Sequence, residues 1–307
     1  MTTQRSPHRL LRNAAALFCA VSLISAVQAA TVGHWRFESG AFLVDSGSNG
    51  FTLTTPATNG SPDPYALPAT GAGSAFPGSI GGAPNTGAAI GIGTTASFFQ
   101  REFRTFISSA TANFANELSV EAFVNLANSS SSSSSVIAGQ GVAAADDASW
   151  GLVVTSGNSG LGARTLVFQF NRDGGAWGTS LLTVNSNFVL ELNTDYYIGM
   201  TADFSDSSTA GLTFYVQNLT AGTELEVINV AHNSSFTSMS VSDNPLTIGG
   251  SDFSNLPWYG VIDEVRLSDV KLGQGDLLIS QIPEPSAFAA IAGVLTLGLA
   301  CGRRRRR

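Results

Sequence analysis

The chain has 307 residues, 43% of them hydrophobic and 12% charged, with a formal net charge of −7. That is about half the usual charged fraction with ample apolar material for a core, which excludes a disordered chain. The acidic residues all fall between Glu38 and Glu284, and residues 30–285 hold 22 of them against seven basic ones, so this stretch stands near −15 and repels phosphate backbones, which argues against nucleic acid as a partner.

The first 29 residues read as a leader. Arg5, Arg9 and Arg12 give a positive start, Ala14 to Ile24 an apolar run, and Ser25 to Ala29 small residues for a signal peptidase cutting between Ala29 and Ala30. The alternative, a transmembrane anchor, needs a longer run than this.

From Val32 onward short β-rich runs recur, with Gly, Ser, Asn and Asp clusters between them. They are Val32–Phe37, Phe51–Thr55, Leu118–Ala127, Trp150–Thr155, Leu166–Phe170, Tyr196–Ala202, Leu212–Leu219, Leu225–Val230, Leu246–Gly249 and Val261–Leu267. In one of them Leu118, Val120, Ala122, Val124 and Leu126 share a face, and Ser119, Glu121, Phe123 and Asn125 share the other, which predicts a half-buried strand. Residues 56–87, rich in Gly, Pro, Ala and Ser, and the serine run Ser129–Ser135 predict surface loops. No stretch sustains a helical period here, so residues 30–281 predict one all-β domain, a two-sheet antiparallel jelly-roll sandwich. Strict alternation in Val261–Leu267 puts Asp263 on the face of Val261, Val265 and Leu267. A buried carboxylate needs partners, so either a bulge turns it outward or it accepts from nearby backbone N–H groups.

Residues 282–307 form a terminal segment of their own. Pro283, Glu284 and Pro285 break any preceding structure, the apolar stretch Ala287–Cys301 predicts a hydrophobic transmembrane helix, and Arg303, Arg304, Arg305, Arg306 and Arg307 would hold its end in the cytoplasm. An ordinary C-terminal anchor would read the same way. The order of Pro-Glu-Pro, apolar helix and arginine cluster resembles the PEP-CTERM sorting signal. The resemblance implies a Gram-negative bacterium, an exosortase that processes the tail after transient membrane anchoring, and delivery to the cell surface or to extracellular exopolysaccharide. The two cysteines, Cys19 and Cys301, both lie in terminal segments, so the domain has no disulfide framework and no thiolate metal site.

Three blocks of the middle region together resemble the laminin-G-like, concanavalin A-like jelly-roll superfamily. They are His34-Trp35-Arg36-Phe37-Glu38 with Val44 to Gly50, then Leu118 to Val124, then Leu246 to Gly250 with Tyr259 to Leu267. Two places depart from the family pattern: Tyr196-Tyr197, and Tyr215 to Asn218 without an Asp-Gly turn.

The sequence offers little chemistry. A retaining glycosidase needs two carboxylates about 5 Å apart, and the best pair is Glu224 with Glu226 after a turn. Only His34 and His232 are available to a triad, and no nucleophile elbow accompanies them. Calcium is the one cofactor with candidate ligands, Asp45, Asp146 and Asp147, with Asp203 and Asp206 also in turns. Carbohydrate binding would use aromatic platforms, for which Trp150, Trp177, Trp258 and Tyr259 are the candidates. The expectation is a non-catalytic surface or matrix module that binds glycan or protein. The alternatives are a structural matrix component without a ligand site and a secreted glycan-active hydrolase.

Overall fold

A computed structural model describes residues 31–54, 63–91, 105–107, 114, 116–129, 133–172, 176–178, 180–233, 235–251, 253–254 and 256–282. In chain order the strands are β1 (Thr31–Trp35), β2 (Asp63–Ala66), β3 (Ser79–Ile80), β4 (Ala83–Pro84), β5 (Gly87–Gly91) and β6 (Thr105–Ile107). There follow β7 (Glu117–Leu126), β8 (Ser135–Gln140), β9 (Trp150–Val154), β10 (Thr165–Asn171) and β11 (Leu181–Val189). The last are β12 (Asp195–Asp203), β13 (Leu212–Asn218), β14 (Glu226–Val230), β15 (Leu246–Ile248) and β16 (Gly260–Ser268).

These strands make two antiparallel sheets and one short ribbon. The eight-stranded sheet runs β14-β13-β12-β7-β16-β5-β2, and β1 pairs with the second half of β16. The six-stranded sheet runs β11-β10-β9-β8-β15-β6, and β3 pairs with β4. Period-two patterning explains why they face each other. Leu118 to Leu126 on β7, Tyr196 to Ala202 on β12 and Leu212 to Val216 on β13 each send alternate side chains inward. From the opposite sheet Trp150, Leu152 and Val154, then Leu166, Phe168 and Phe170, fill the same core. The two-sheet antiparallel sandwich is therefore as the sequence predicts.

The second face of the large sheet differs from the prediction. β7 is not half-buried: all of its residues but the first are buried. Residues 67–80 and 270–282 lie across that face and cover Phe123, Tyr197, Tyr215 and Val261 with Phe76, Ile80, Leu272, Leu277 and Leu278. Part of the predicted loop 56–87 is thus cover, and it also supplies β2, β3 and β4. An alternating sequence reports which residues share a face, but a cover contributed from elsewhere in the chain leaves no local mark.

The hydrophobic C-terminal helix is corrected. Among the described residues no helix is long and apolar enough to cross a membrane. The helical pieces there are two 3-10 turns, Gln274–Asp276 and Leu278–Gln281. The described C-terminal stretch, residues 270–282, is used as cover, with Leu277 and Leu278 buried against the sheet and Gly273, Gly275 and Asp276 between its apolar residues. The membrane as a partner and the transient membrane anchoring are corrected with it. Residues 1–30, with the Ala29–Ala30 cleavage point, and residues 283–307, with Pro283 to Pro285, the stretch 287–301 and Arg303 to Arg307, lie outside the described residues. Nothing in the described residues supports the signal peptidase, exosortase or exopolysaccharide expected as partners.

Candidate functional site

The predicted site residues are scattered. Asp45 organises its own turn: Oδ1 accepts the His34 and Gly47 N–H groups at 2.8 and 2.7 Å, and Oδ2 accepts the Phe51 N–H at 3.0 Å. Asp147 accepts the Asp243 N–H at 2.7 Å and the Ser242 hydroxyl at 3.2 Å, while Asp146 is exposed beside it. Asp203 and Asp206 receive N–H groups from Ser205 and Ser208, and the Ser208 bonds hold the Asp206 carboxyl below the usual range. Among the described residues no three His, Cys, Asp or Glu side chains gather to hold a metal ion. Trp150 and Trp258 are wholly buried, and Trp258 Nε1 donates to the carbonyls of Asn125 and Val261. Trp177 is partly exposed and packs over Val136, Val142, Val153 and Val167 on the outer face of the six-stranded sheet. Tyr259 is partly exposed at the entry to β16.

Beneath the cover, the large sheet carries a polar network that local reading missed. Glu121 Oε1 accepts Arg266 Nε at 3.0 Å and also pairs with Arg266 Nη2, while Oε2 accepts the Tyr197 hydroxyl at 2.7 Å and the Leu278 N–H at 2.6 Å. Burial, then the Glu121 carboxylate, push the Tyr197 phenol well up. Glu264 bridges His34 at 2.5 Å and Arg36 at 2.8 Å. Asp195 accepts the Gly73 and Ala75 N–H groups, both at 2.8 Å, and Asn125 Nδ2 at 2.6 Å. Each acid ties a cover segment or β1 to the sheet, which makes these structural clasps.

Asp263 follows the second sequence alternative: a bulge is present, but it does not turn the carboxylate outward. β16 is bulged between Asp263 and Arg266, with Glu264 at φ 50. The bulge breaks the alternation, so Val265 and Leu267 join Ile262 in the main core while Val261 lies in the covered layer. Asp263 stays buried, and Oδ1 accepts the Glu264 N–H at 2.8 Å while Oδ2 accepts Asn85 Nδ2 at 2.9 Å. Burial, then the neighbouring Glu264 charge, push its carboxyl well up.

One candidate pair does reach a cleft. Strands β11 and β14 are edges of opposite sheets, and the sandwich opens between them. The cleft is about 520 Å³ and is lined by Phe188, Val189, Glu191, Tyr196, Val216, Asn218, Thr223, Glu224, Leu225 and Glu226. Pairing of Val216 with Glu226 and of Tyr196 with Asn218 explains the lining. Tyr196 and Val216 point inward with the core, so their cross-strand partners do too, and at this corner the inward positions become polar. The rings of Phe188 and Tyr196 meet edge to face at 5.7 Å. The Tyr196 hydroxyl accepts the Glu191 N–H at 3.3 Å, and burial raises the phenol. The turn after β13 is braced by Gln217 Nε2 on the Thr223 carbonyl at 2.6 Å and by the Ala221 N–H on Asn218 Oδ1 at 2.9 Å. It presents Glu224 and Glu226 to solvent at the cleft mouth. Of the sequence candidates, this cleft includes Glu224 and Glu226, and it adds Phe188, Glu191, Tyr196 and Asn218, which no local motif signalled.

Several solved structures are similar to the chain at low identity. Domain 4 of AbnA, an extracellular GH43 arabinanase from Geobacillus stearothermophilus solved with arabinotriose, is 12% identical, with a TM-score of 0.49, covering 83% of this chain and 100% of that one. The binding domain of Paraclostridial Mosquitocidal Protein 1 is 10% identical, with a TM-score of 0.48, covering 81% of this chain and 51% of that one. The binding domain of botulinum neurotoxin serotype G is 10% identical, with a TM-score of 0.47, covering 79% and 48%. The chain thus spans about half the length of the two toxin domains. No curated protein matches the chain. The laminin-G type 3 family model, described as concanavalin A-like lectin/glucanases superfamily, matches residues 104–277, more than half of the sequence. With the two-sheet antiparallel sandwich that it leads one to expect, this match establishes that the chain belongs to the concanavalin A-like lectin/glucanase superfamily.

Proposed function

We propose that the chain is a non-catalytic extracellular binding module that holds a saccharide in the cleft between β11 and β14. The observation that carries the reading is the lining. Its size of about 520 Å³ suits a small ligand. Apolar rings border it beside carboxylates and an amide, and a sugar needs both, since its C–H face packs on apolar surface while its hydroxyls require directional partners. Hydrolysis is a poorer fit. A general acid at neutral pH needs a carboxyl kept protonated by burial, and Glu191, Glu224 and Glu226 are all exposed to solvent.

The binding unit in this reading is residues 30–281, with a leader at 1–29 cut between Ala29 and Ala30 and a terminal segment at 282–307. A mature N-terminus other than Ala30, found by intact mass, would overturn that division. For the site, glycan-array binding is measured with and without calcium, and hits are titrated by calorimetry against F188A. The expected result is saccharide binding that weakens at least tenfold in F188A while the variant keeps its β-sheet circular dichroism. An array silent in both conditions would overturn the reading and leave a structural component.

A further inference from the structure

The inward stripe of the large sheet changes chemistry at the cleft. Ile198, Val216 and Ile228 belong to the core or pack on it, and the next positions on the same face are Tyr196, Asn218 and Glu226. Glu224, two residues before Glu226, borders the same space, and Glu191 comes from the turn after β11. Among the described residues no Lys, Arg or His nitrogen lies within ion-pair distance of these three carboxylates. The cleft therefore carries a net negative charge, three carboxylates against Arg164, whose charge reaches the Tyr196 hydroxyl, and it lies within residues 30–285, which stand near −15. Sugars carrying carboxylate, sulfate or phosphate are repelled from it.

A second feature points to a ligand independently of those charges. Tyr196 is 2% exposed, and its ring lines the cleft. Its oxygen is occupied as an acceptor by the Glu191 N–H, and among the described residues nothing accepts the hydroxyl's own proton. Buried donors are seldom left unfilled. A ligand oxygen in the cleft would take this one. The wall thus offers one donor for a neutral oxygen and several anionic acceptors, which is the complement of a saccharide bearing both oxygens and a cation.

Resting on the saccharide reading above, we infer that the cleft selects sugars with a free, protonated amine over neutral, N-acetylated or acidic ones. The amine sits among Glu191, Glu224 and Glu226, and a ring or hydroxyl oxygen takes the Tyr196 proton. The amine of a hexosamine is fully charged only below neutral pH, so binding is measured at mildly acidic pH, and N-acetylation removes both the charge and two of its donors.

The test uses calorimetry on the full chain with β-1,4-linked glucosamine tetramer, its fully N-acetylated counterpart, cellotetraose and tetralysine. The free-amine sugar is expected to bind at least tenfold tighter than the N-acetylated one, and the difference should shrink as salt rises. E224Q and E226Q are each expected to lower that affinity about fivefold, the worth of one solvent-exposed charge contact. Both side chains are exposed, so unchanged urea midpoints confirm intact folding. D146N and D243N, which remove exposed acids outside the cleft lining, should leave binding unchanged. Equal binding of the free-amine and N-acetylated sugars overturns this inference and leaves the saccharide reading standing. No binding of any sugar overturns both. Tetralysine binding as tightly as the amino sugar, or equal losses in D146N and D243N, overturns the inference in favour of bare cation attraction.

Discussion

Replacing Arg266 by Met tests whether the covered face of the large sheet is held by a buried ion pair. Glu121 is fully buried and Arg266 is 6% exposed. In R266M the Glu121 Oε1 loses both guanidinium donors, and the remaining Tyr197 and Leu278 donors both serve Oε2. An uncompensated buried carboxylate costs about 3–5 kcal/mol. For a domain of this size that corresponds to a fall in Tm of roughly 6–20 °C. Urea unfolding at neutral pH measures the loss, and hydrogen exchange locates it. Amides of residues 270–282 should lose protection first, because Glu121 receives the Leu278 N–H and Arg266 donates to the Asp276 carbonyl at 2.7 Å. The double variant E121M/R266M removes both charges. It leaves the Tyr197 hydroxyl, the Leu278 N–H and the Asp276 carbonyl short of partners, at about 1 kcal/mol or more each. It should still be more stable than R266M alone, since no bare charge remains. If R266M unfolds within about 1 kcal/mol of wild type, or the double variant gains nothing over it, the pair is not what holds the cover.

Three further outcomes follow from single positions. D45A removes the acceptor for three backbone N–H groups and should cost about 2–4 kcal/mol by denaturant melt; a loss that appears only in calcium and vanishes in EDTA would make Asp45 a metal ligand instead. G260A should abolish soluble expression, because Gly260 has φ 146 and a Cβ would lie 2.0 Å from the Asn125 carbonyl oxygen; a folded G260A protein would refute that backbone. D263N should flatten the pH dependence of stability. The raised carboxyl makes the folded protein bind more protons than the unfolded one above the unfolded value of about 3.9, so stability falls as pH rises through that value towards the folded one. An unchanged slope in urea midpoints from acid to neutral pH would show that Asp263 is not the group responsible.

The strands of the core were legible because each one alone shows its period. Leu118 to Leu126 alternates cleanly, and the structure sends the same set inward. Asp263 was half legible. Its conflict with the apolar pattern was visible in one strand, but the bulge lies in the pairing with β7, and the carboxylate's side-chain partner is Asn85, 178 residues away. The C-terminal helix was expected from the apolar composition of 287–301; the described chain, up to Ile282, contains no long apolar helix and ends as 3-10 turns laid on a sheet.

The sequence by itself determined the architecture and the balance of charge. A period of two, few charges and frequent turn residues leave a two-sheet sandwich as the way to bury this much apolar surface, and the acid count makes its exterior anionic whatever the topology. Only the tertiary structure decided where a ligand could sit. Phe188, Tyr196, Asn218 and Glu226 come from four strands, β11 to β14, with Glu191 and Glu224 from the turns between them, and they meet because β11 and β14 are the adjacent edges of opposite sheets. Which strands become edges is a property of the whole pairing order, so Glu224 and Glu226 read as a carboxylate pair after a turn with no partners in view until that order brought Phe188, Glu191 and Tyr196 against them.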